Sequence, residues 1–259
     1  MKPCSLALAA LLLLPIAARA ADALAVLAVP RQRLQSADYR ATGHLVRVDE
    51  NGARTSDAIA IKARWFPGVL RILIEIAAPQ KTGPDARAHI LFEMRPDGRN
   101  SIRIAHPGDA AAAILPFDKW NDGPLGGEFS YEDFFESEYF WPGQSMLEAS
   151  KYGARDCDVI KSTPGAADKT HYAEVQTWLD RGIGFPVYQE KTVKATGRVK
   201  EFTSFGLRHD GGVWSASQME VKTRGQAGST LLIIDRGSAK ANLGLAEFSP
   251  EKLIRFQDR

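Results

Sequence analysis

The strongest constraint on this chain is a repeated two-residue alternation of apolar and polar side chains, cut at intervals by tight-turn dipeptides. Residues 55–66 place Ile59, Ile61, Ala63 and Trp65 on one face and Lys62 and Arg64 on the other. Residues 69–76 set Leu70, Ile72, Ile74 and Ile76 against Arg71 and Glu75, and residues 88–94 carry Ile90, Phe92 and Met94 on one side. Successive side chains of a strand point to opposite faces, so these runs read as half-buried antiparallel strands. Asn51-Gly52, Pro67-Gly68 and Asp97-Gly98 supply the hairpin connections. With residues 39–48 and 101–105 they form an N-terminal meander. Further strands are expected over 151–161, 171–180, 185–193, 199–207, 213–222, 229–236 and 247–256, and a short helix over 24–35. Some ten or eleven strands with no fixed-period repeat imply one mainly-β domain built on a single large antiparallel sheet. A sheet of that size must curl or close.

The middle of the chain breaks this rhythm. Residues 110–127 are rich in Ala, Pro and Gly and read as irregular. Ser130 with Asp133 has the spacing of a capping box, and Tyr131, Phe134, Phe135 and Tyr139 then fall at helical intervals as one aromatic stripe. The acids Glu132, Asp133, Glu136 and Glu138 fit neither an EF-hand nor a carboxylate dyad, and they read as a solvated helix face.

The first twenty residues look like an address. Lys2 gives a positive start, residues 6–18 are apolar, and Ala18-Arg19-Ala20 presents small residues at a peptidase site. This pattern predicts a cleaved secretory signal peptide over residues 1–20, leaving one domain over 21–259. Removing Lys2 and Arg19 with that leader leaves 31 basic and 31 acidic residues, a net charge of zero. A neutral chain lacks the basic field that nucleic acid requires. The expected compartment is the periplasm, where disulfides are permitted, yet only Cys157 remains after cleavage. It reads as a small buried hydrophobe.

Little in the sequence resembles catalytic machinery. His44, His89, His106, His171 and His209 lie far apart, outside metal-ligand spacing, and each reads as a surface or strand-edge residue. No Gly-x-Ser-x-Gly elbow is present. No catalytic residue, metal or cofactor is expected. The large apolar faces are more informative. Ile61, Trp65, Leu70, Ile72, Ile74, Ile90, Phe92 and Met94, with Phe134 and Phe135 from the aromatic stripe, either fill a barrel or line a cavity for an acyl chain.

Several segments then match a known pattern in order. Residues 126–135, GGEFSYEDFF, resemble the Phe-Ser-Tyr-Glu-Asp signature of outer-membrane lipoprotein-sorting proteins, the LolA-like periplasmic carriers. Residues 153–164 (GARDCDVIKSTP), 177–193 (TWLDRGIGFPVYQEKTV) and 211–221 (GGVWSASQMEV) are similar to later strands of that family, and 229–256 is similar in layout. The alanine run 110–113 departs from the pattern, as does the lack of arginine between His106 and Leu115. The resemblance implies an unclosed antiparallel β-barrel with a few covering helices (LolA/LolB-like), shielding acyl chains in transit. On this reading the protein is a non-enzymatic carrier or sensor, monomeric, whose partners are a lipid or lipoprotein acyl chain and an inner- or outer-membrane protein. The alternative is a non-catalytic interaction module docking on a membrane transporter or another envelope protein.

Overall fold

The computed structural model describes residues 14–78, 81–83, 86–124 and 126–256. A helix, α1 (Leu14–Gln35), leads into fourteen strands. The first half holds β1 (Asp38–Val48), β2 (Arg54–Phe66), β3 (Val69–Ala77), β4 (Arg87–Met94), β5 (Ser101–Ala105) and β6 (Ala113–Ile114). The second half holds β7 (Gly143–Met146), β8 (Ser150–Tyr152), β9 (Arg155–Thr163), β10 (Tyr172–Asp180), β11 (Pro186–Val193), β12 (Val199–Asp210), β13 (Val213–Thr223) and β14 (Ser229–Ser238). All pair antiparallel in one sheet, ordered β6-β5-β4-β3-β2-β1-β14-β13-β12-β11-β10-β9-β7, with β8 on β9. Among the described residues the end strands β6 and β7 do not pair, so the curled sheet stays open.

The alternation works as read. Ile59 and Ile61 of β2, Leu70, Ile74 and Ile76 of β3, and Ile90, Phe92 and Met94 of β4 are buried in one cluster on the inner face. The register places Ile72 beside Ala63 and Phe92, and Ile74 beside Ile61 and Ile90. These cross-strand neighbours hold the meander together.

Between Thr42 and Gly43 the pairing of β1 with β14 shifts register. A Cβ on Gly43 would lie 1.8 Å from the Ile233 carbonyl oxygen, so the strands can approach here only without a side chain. Gly43→Ala is expected to lower stability by about 1–3 kcal/mol. Denaturant titration would show it as a lower midpoint at unchanged slope.

Four expectations are corrected. The signature segment is not one helix. It forms two 3-10 turns, Tyr131–Phe134 and Ser137–Phe140, with Phe135 extended between them. Its acids are not a solvated face, since Glu132, Asp133 and Glu138 are all buried. Asp133 and Glu138 take partners on the sheet and Glu132 takes Thr170 and His171 just before β10, and those attachments pull the chain out of helical register. The expected C-terminal strand is instead a 3-10 turn, Leu245–Phe248, and a short helix, α2 (Pro250–Leu253). Ser249 caps that helix and Pro250 occupies its first turn, a start signal present in the sequence. Finally, His89 is buried, its Nδ1 lying 2.8 Å from the Leu253 carbonyl and its ring 3.9 Å from that of Phe256. Burial holds the His89 imidazole below its ordinary pKa, against the hydrogen bond to Leu253.

That last contact shows what covers the outer face. Leu73 and Leu91 point away from the inner cluster and meet Leu243, Phe248 and Leu253. Lys62, on the polar side of β2, reaches Glu247 at 2.9 Å. At the other end, α1 begins seven residues before the expected cleavage point after Ala20. The first thirteen residues of the expected leader lie outside the described residues.

Candidate ligand-binding cavity

The inner face does not close on itself completely. Between the sheet, the end of α1 and the signature segment lies a cavity of about 260 Å³. Its apolar wall comes from Ile61 and Ala63 of β2, Leu70 and Ile72 of β3, Leu232 and Ile234 of β14, Met219 of β13 and Phe202 of β12. Phe129 and Phe134 enter from the signature segment, and Leu34, Tyr39, Phe185 and Trp214 also line the hollow. The polar groups are a minority: Arg33, Asp133, Glu136, Gln189 and Lys191 lie on the side of α1, β11 and the signature segment, with Ser36, Asp38, Tyr188, Ser204 and Ser215 elsewhere on the boundary. A mostly apolar hollow with a few convergent polar groups has the form of a site for an amphipathic ligand.

The expected cavity residues separate into two groups, with Trp65 in neither. Ile61, Leu70, Ile72 and Phe134 line the hollow. Ile74, Ile90, Phe92, Met94 and Phe135 sit in solid core instead, each at most 2% exposed. Trp65 packs on Phe140, ring centroids 6.0 Å apart. The β14 and β13 contributors Leu232, Ile234 and Met219 were legible as apolar strand positions, but nothing in the sequence told which strands would flank β1. Arg33, Gln189 and Lys191 carried no signal at all.

The signature segment is pinned across this site by ion pairs. Asp133 accepts from the Ser130 backbone N–H and hydroxyl, both at 2.8 Å, and also binds Lys200 and the Tyr172 hydroxyl. Burial pushes the Asp133 carboxyl up, but Lys200 and Lys191, with the Lys200 and Tyr172 hydrogen bonds, outweigh it, so it lies below the usual carboxylate range. Glu132 accepts from Thr170 and from His171, whose Nδ1 lies 2.8 Å away. Glu136 pairs with Arg33 of α1. Glu138 accepts from Gln189 at 2.9 Å and faces the Lys191 ammonium at 3.5 Å. Burial dominates at Glu138 and raises its carboxyl, with Lys191 only partly offsetting it. Burial likewise lifts the Tyr139 and Tyr172 phenols well above their ordinary range.

A second hollow of about 400 Å³ lies at the far end of β1, among Arg47, Asp49, Thr55, Glu128 and Ser229. Val48 is the largest apolar side chain there, so it offers little to an acyl chain. Among the described residues no three His, Cys, Asp or Glu side chains gather as metal ligands, and no helix is long and apolar enough to cross a membrane.

Three solved structures share the architecture. A domain from Vibrio parahaemolyticus assigned to outer-membrane lipoprotein sorting superposes with a TM-score of 0.80 at 18% identity, over 91% of this chain and 100% of that one. A DUF1329 family protein from Desulfovibrio piger gives 0.76 at 14% identity, over 91% and 99%. A LolA superfamily protein from Nitrosomonas europaea gives 0.60 at 12% identity, over 85% and 97%. No curated protein matches the chain. Residues 120–255, more than half of the chain, match the model of a family described as "-like: Uncharacterized protein". That span runs from the signature segment to the C-terminal helix, so the chain belongs to this family and carries the open-barrel fold of the outer-membrane lipoprotein-sorting domains.

Proposed function

We propose that this protein is a periplasmic carrier or sensor that holds a lipid, or the acyl chains of a lipoprotein, in the cavity of its open barrel. The observation that carries this reading is the cavity itself, a partly open apolar hollow of about 260 Å³ on the inner face of the sheet. Its apolar wall faces open space that a ligand can fill, removing that surface from water. Each methylene moved from water into it gains about 0.8 kcal/mol, so burial alone drives binding and no catalytic group is needed. The fold it shares with lipoprotein-sorting domains supports the same reading.

The leader over residues 1–20 directs export and is cut after Ala20, leaving α1 to start at Ala21. Outer-membrane lipoprotein sorting or lipid trafficking in the periplasm is the proposed setting, with the protein acting as a monomer toward an inner- or outer-membrane partner. The interaction-module reading is disfavoured by one observation. Tyr139 of the aromatic stripe and Trp141 just beyond it, which would face a docking partner, are 0% and 3% exposed.

Ile72 tests the site because it lines the cavity and is only partly buried. Ile72→Glu is expected to abolish uptake of a fluorescent fatty-acyl probe while the thermal midpoint moves by a few degrees at most. Undiminished uptake by the folded variant would remove the cavity assignment.

A further inference from the structure

The polar end of the cavity indicates what the ligand carries there. Lys191 lines the hollow and is only 2% exposed. Among the described residues its ammonium has one ion-pair partner, Glu138 at 3.5 Å. Otherwise it lies over the rings of Phe202 and Tyr172, 4.8 and 5.5 Å from their centroids. An ammonium has three N–H donors, and one long carboxylate contact does not use them all. Lys200, by contrast, is held by Asp133 and by the Ser130 hydroxyl.

The surroundings then set the charge of what Lys191 accepts. Glu132, Asp133, Glu136 and Glu138 supply four carboxylates around this end of the cavity, against three bases, Arg33, Lys191 and Lys200. His171 on Glu132 adds a positive charge only when protonated. Burial works against the charged form of Lys191, yet Glu138, Asp133, Glu136 and Glu132 keep it firmly protonated. A free carboxylate entering here would be desolvated beside carboxylates that already match or outnumber the bases. A neutral carbonyl would gain a charge-assisted hydrogen bond without that cost.

We infer that Lys191 is a specificity-determining residue that donates to the carbonyl oxygen of a neutral acyl ester or amide, so that the cavity selects esterified or amidated acyl chains over free fatty acids. This rests on the cavity reading above and deepens it. Glycerolipids and lipopeptides both present such a carbonyl, and both should depend on Lys191.

The test compares four ligands displacing a fluorescent acyl probe from the full chain: hexadecane, palmitic acid, 1-monopalmitoylglycerol and an N-palmitoylated, C-terminally amidated peptide. The ester or the amide should bind roughly tenfold tighter than hexadecane, and tighter than palmitic acid at neutral pH. Whichever of the two is preferred names the source. In Lys191→Met the ratio of carbonyl ligand to hexadecane should fall to about one. If that variant fails to fold, Lys191→Met combined with Glu138→Gln, which leaves no buried carboxylate unpaired, should show the same collapse. An unchanged ratio in either folded variant, or palmitic acid as the tightest ligand, would overturn the inference. Failure of all four ligands, hexadecane included, would overturn the cavity reading and this inference with it.

Discussion

Lys200→Met is expected to lower the unfolding free energy by about 3–5 kcal/mol, because it strands the Asp133 carboxylate in the interior. Lys200 is 8% exposed in its side chain and Asp133 0%, so water cannot replace the lost partner. The pH dependence should change sign as well. In the wild type the Asp133 carboxyl lies below its unfolded value. It therefore contributes stability above about pH 4 that is lost as the pH falls further. Without Lys200, burial becomes the winning influence and lifts the carboxyl above its unfolded value. That contribution is then present in acid and lost as the pH rises toward neutral. From pH 4 to 7 Asp133 should leave the wild-type urea midpoint unchanged, while the variant's midpoint should fall further below it as the pH rises. Pairing Lys200→Met with Asp133→Asn should recover much of the loss. Equal pH slopes for the two proteins would contradict the assigned pair.

The second large effect is expected at Phe92, which separates core from cavity. Its ring is 0% exposed and packs 5.2 Å from Phe134 and 5.5 Å from Phe135, centroid to centroid. Phe92→Ala removes these contacts and leaves a void, at a cost of about 3–5 kcal/mol. Thermal unfolding would show this as a clear drop in midpoint. Ile72→Glu, by contrast, should leave the midpoint nearly in place and remove ligand uptake. The two variants sit on adjacent strands, paired in register, yet their expected phenotypes are opposite. If Phe92→Ala were thermally silent, the division of the inner face into solid core and open hollow would be wrong.

Much of the sheet was legible because strand alternation is a local signal. The expected 101–105 strand and the observed β5 have the same bounds, and most other strands differ by one or two residues at an end. The edge strands β6 and β7 were not legible, since two and four residues are too few to show a period. The signature segment misled for a physical reason. Tyr131, Phe134, Phe135 and Tyr139 have helical spacing, but Lys200, Lys191, His171 and Arg33 each hold a different acid of that segment. Those bases lie on α1, on β11 and β12, or just before β10, 39 to 103 residues away in the chain, beyond any local pattern. The cavity was half legible for a similar reason. Ile61, Leu70 and Ile72 follow from alternation within one hairpin. Leu232, Ile234 and Met219 join them only because β14 crosses back to pair with β1.

The most direct test of the central claim is native mass spectrometry of the full chain expressed with its leader and purified from the periplasm, followed by extraction of whatever is bound. The account predicts an acyl-containing lipid or acylated peptide at close to one per protein, lost in Ile72→Glu. A wild-type protein that emerges folded and empty, and takes up no fluorescent acyl probe, would contradict it.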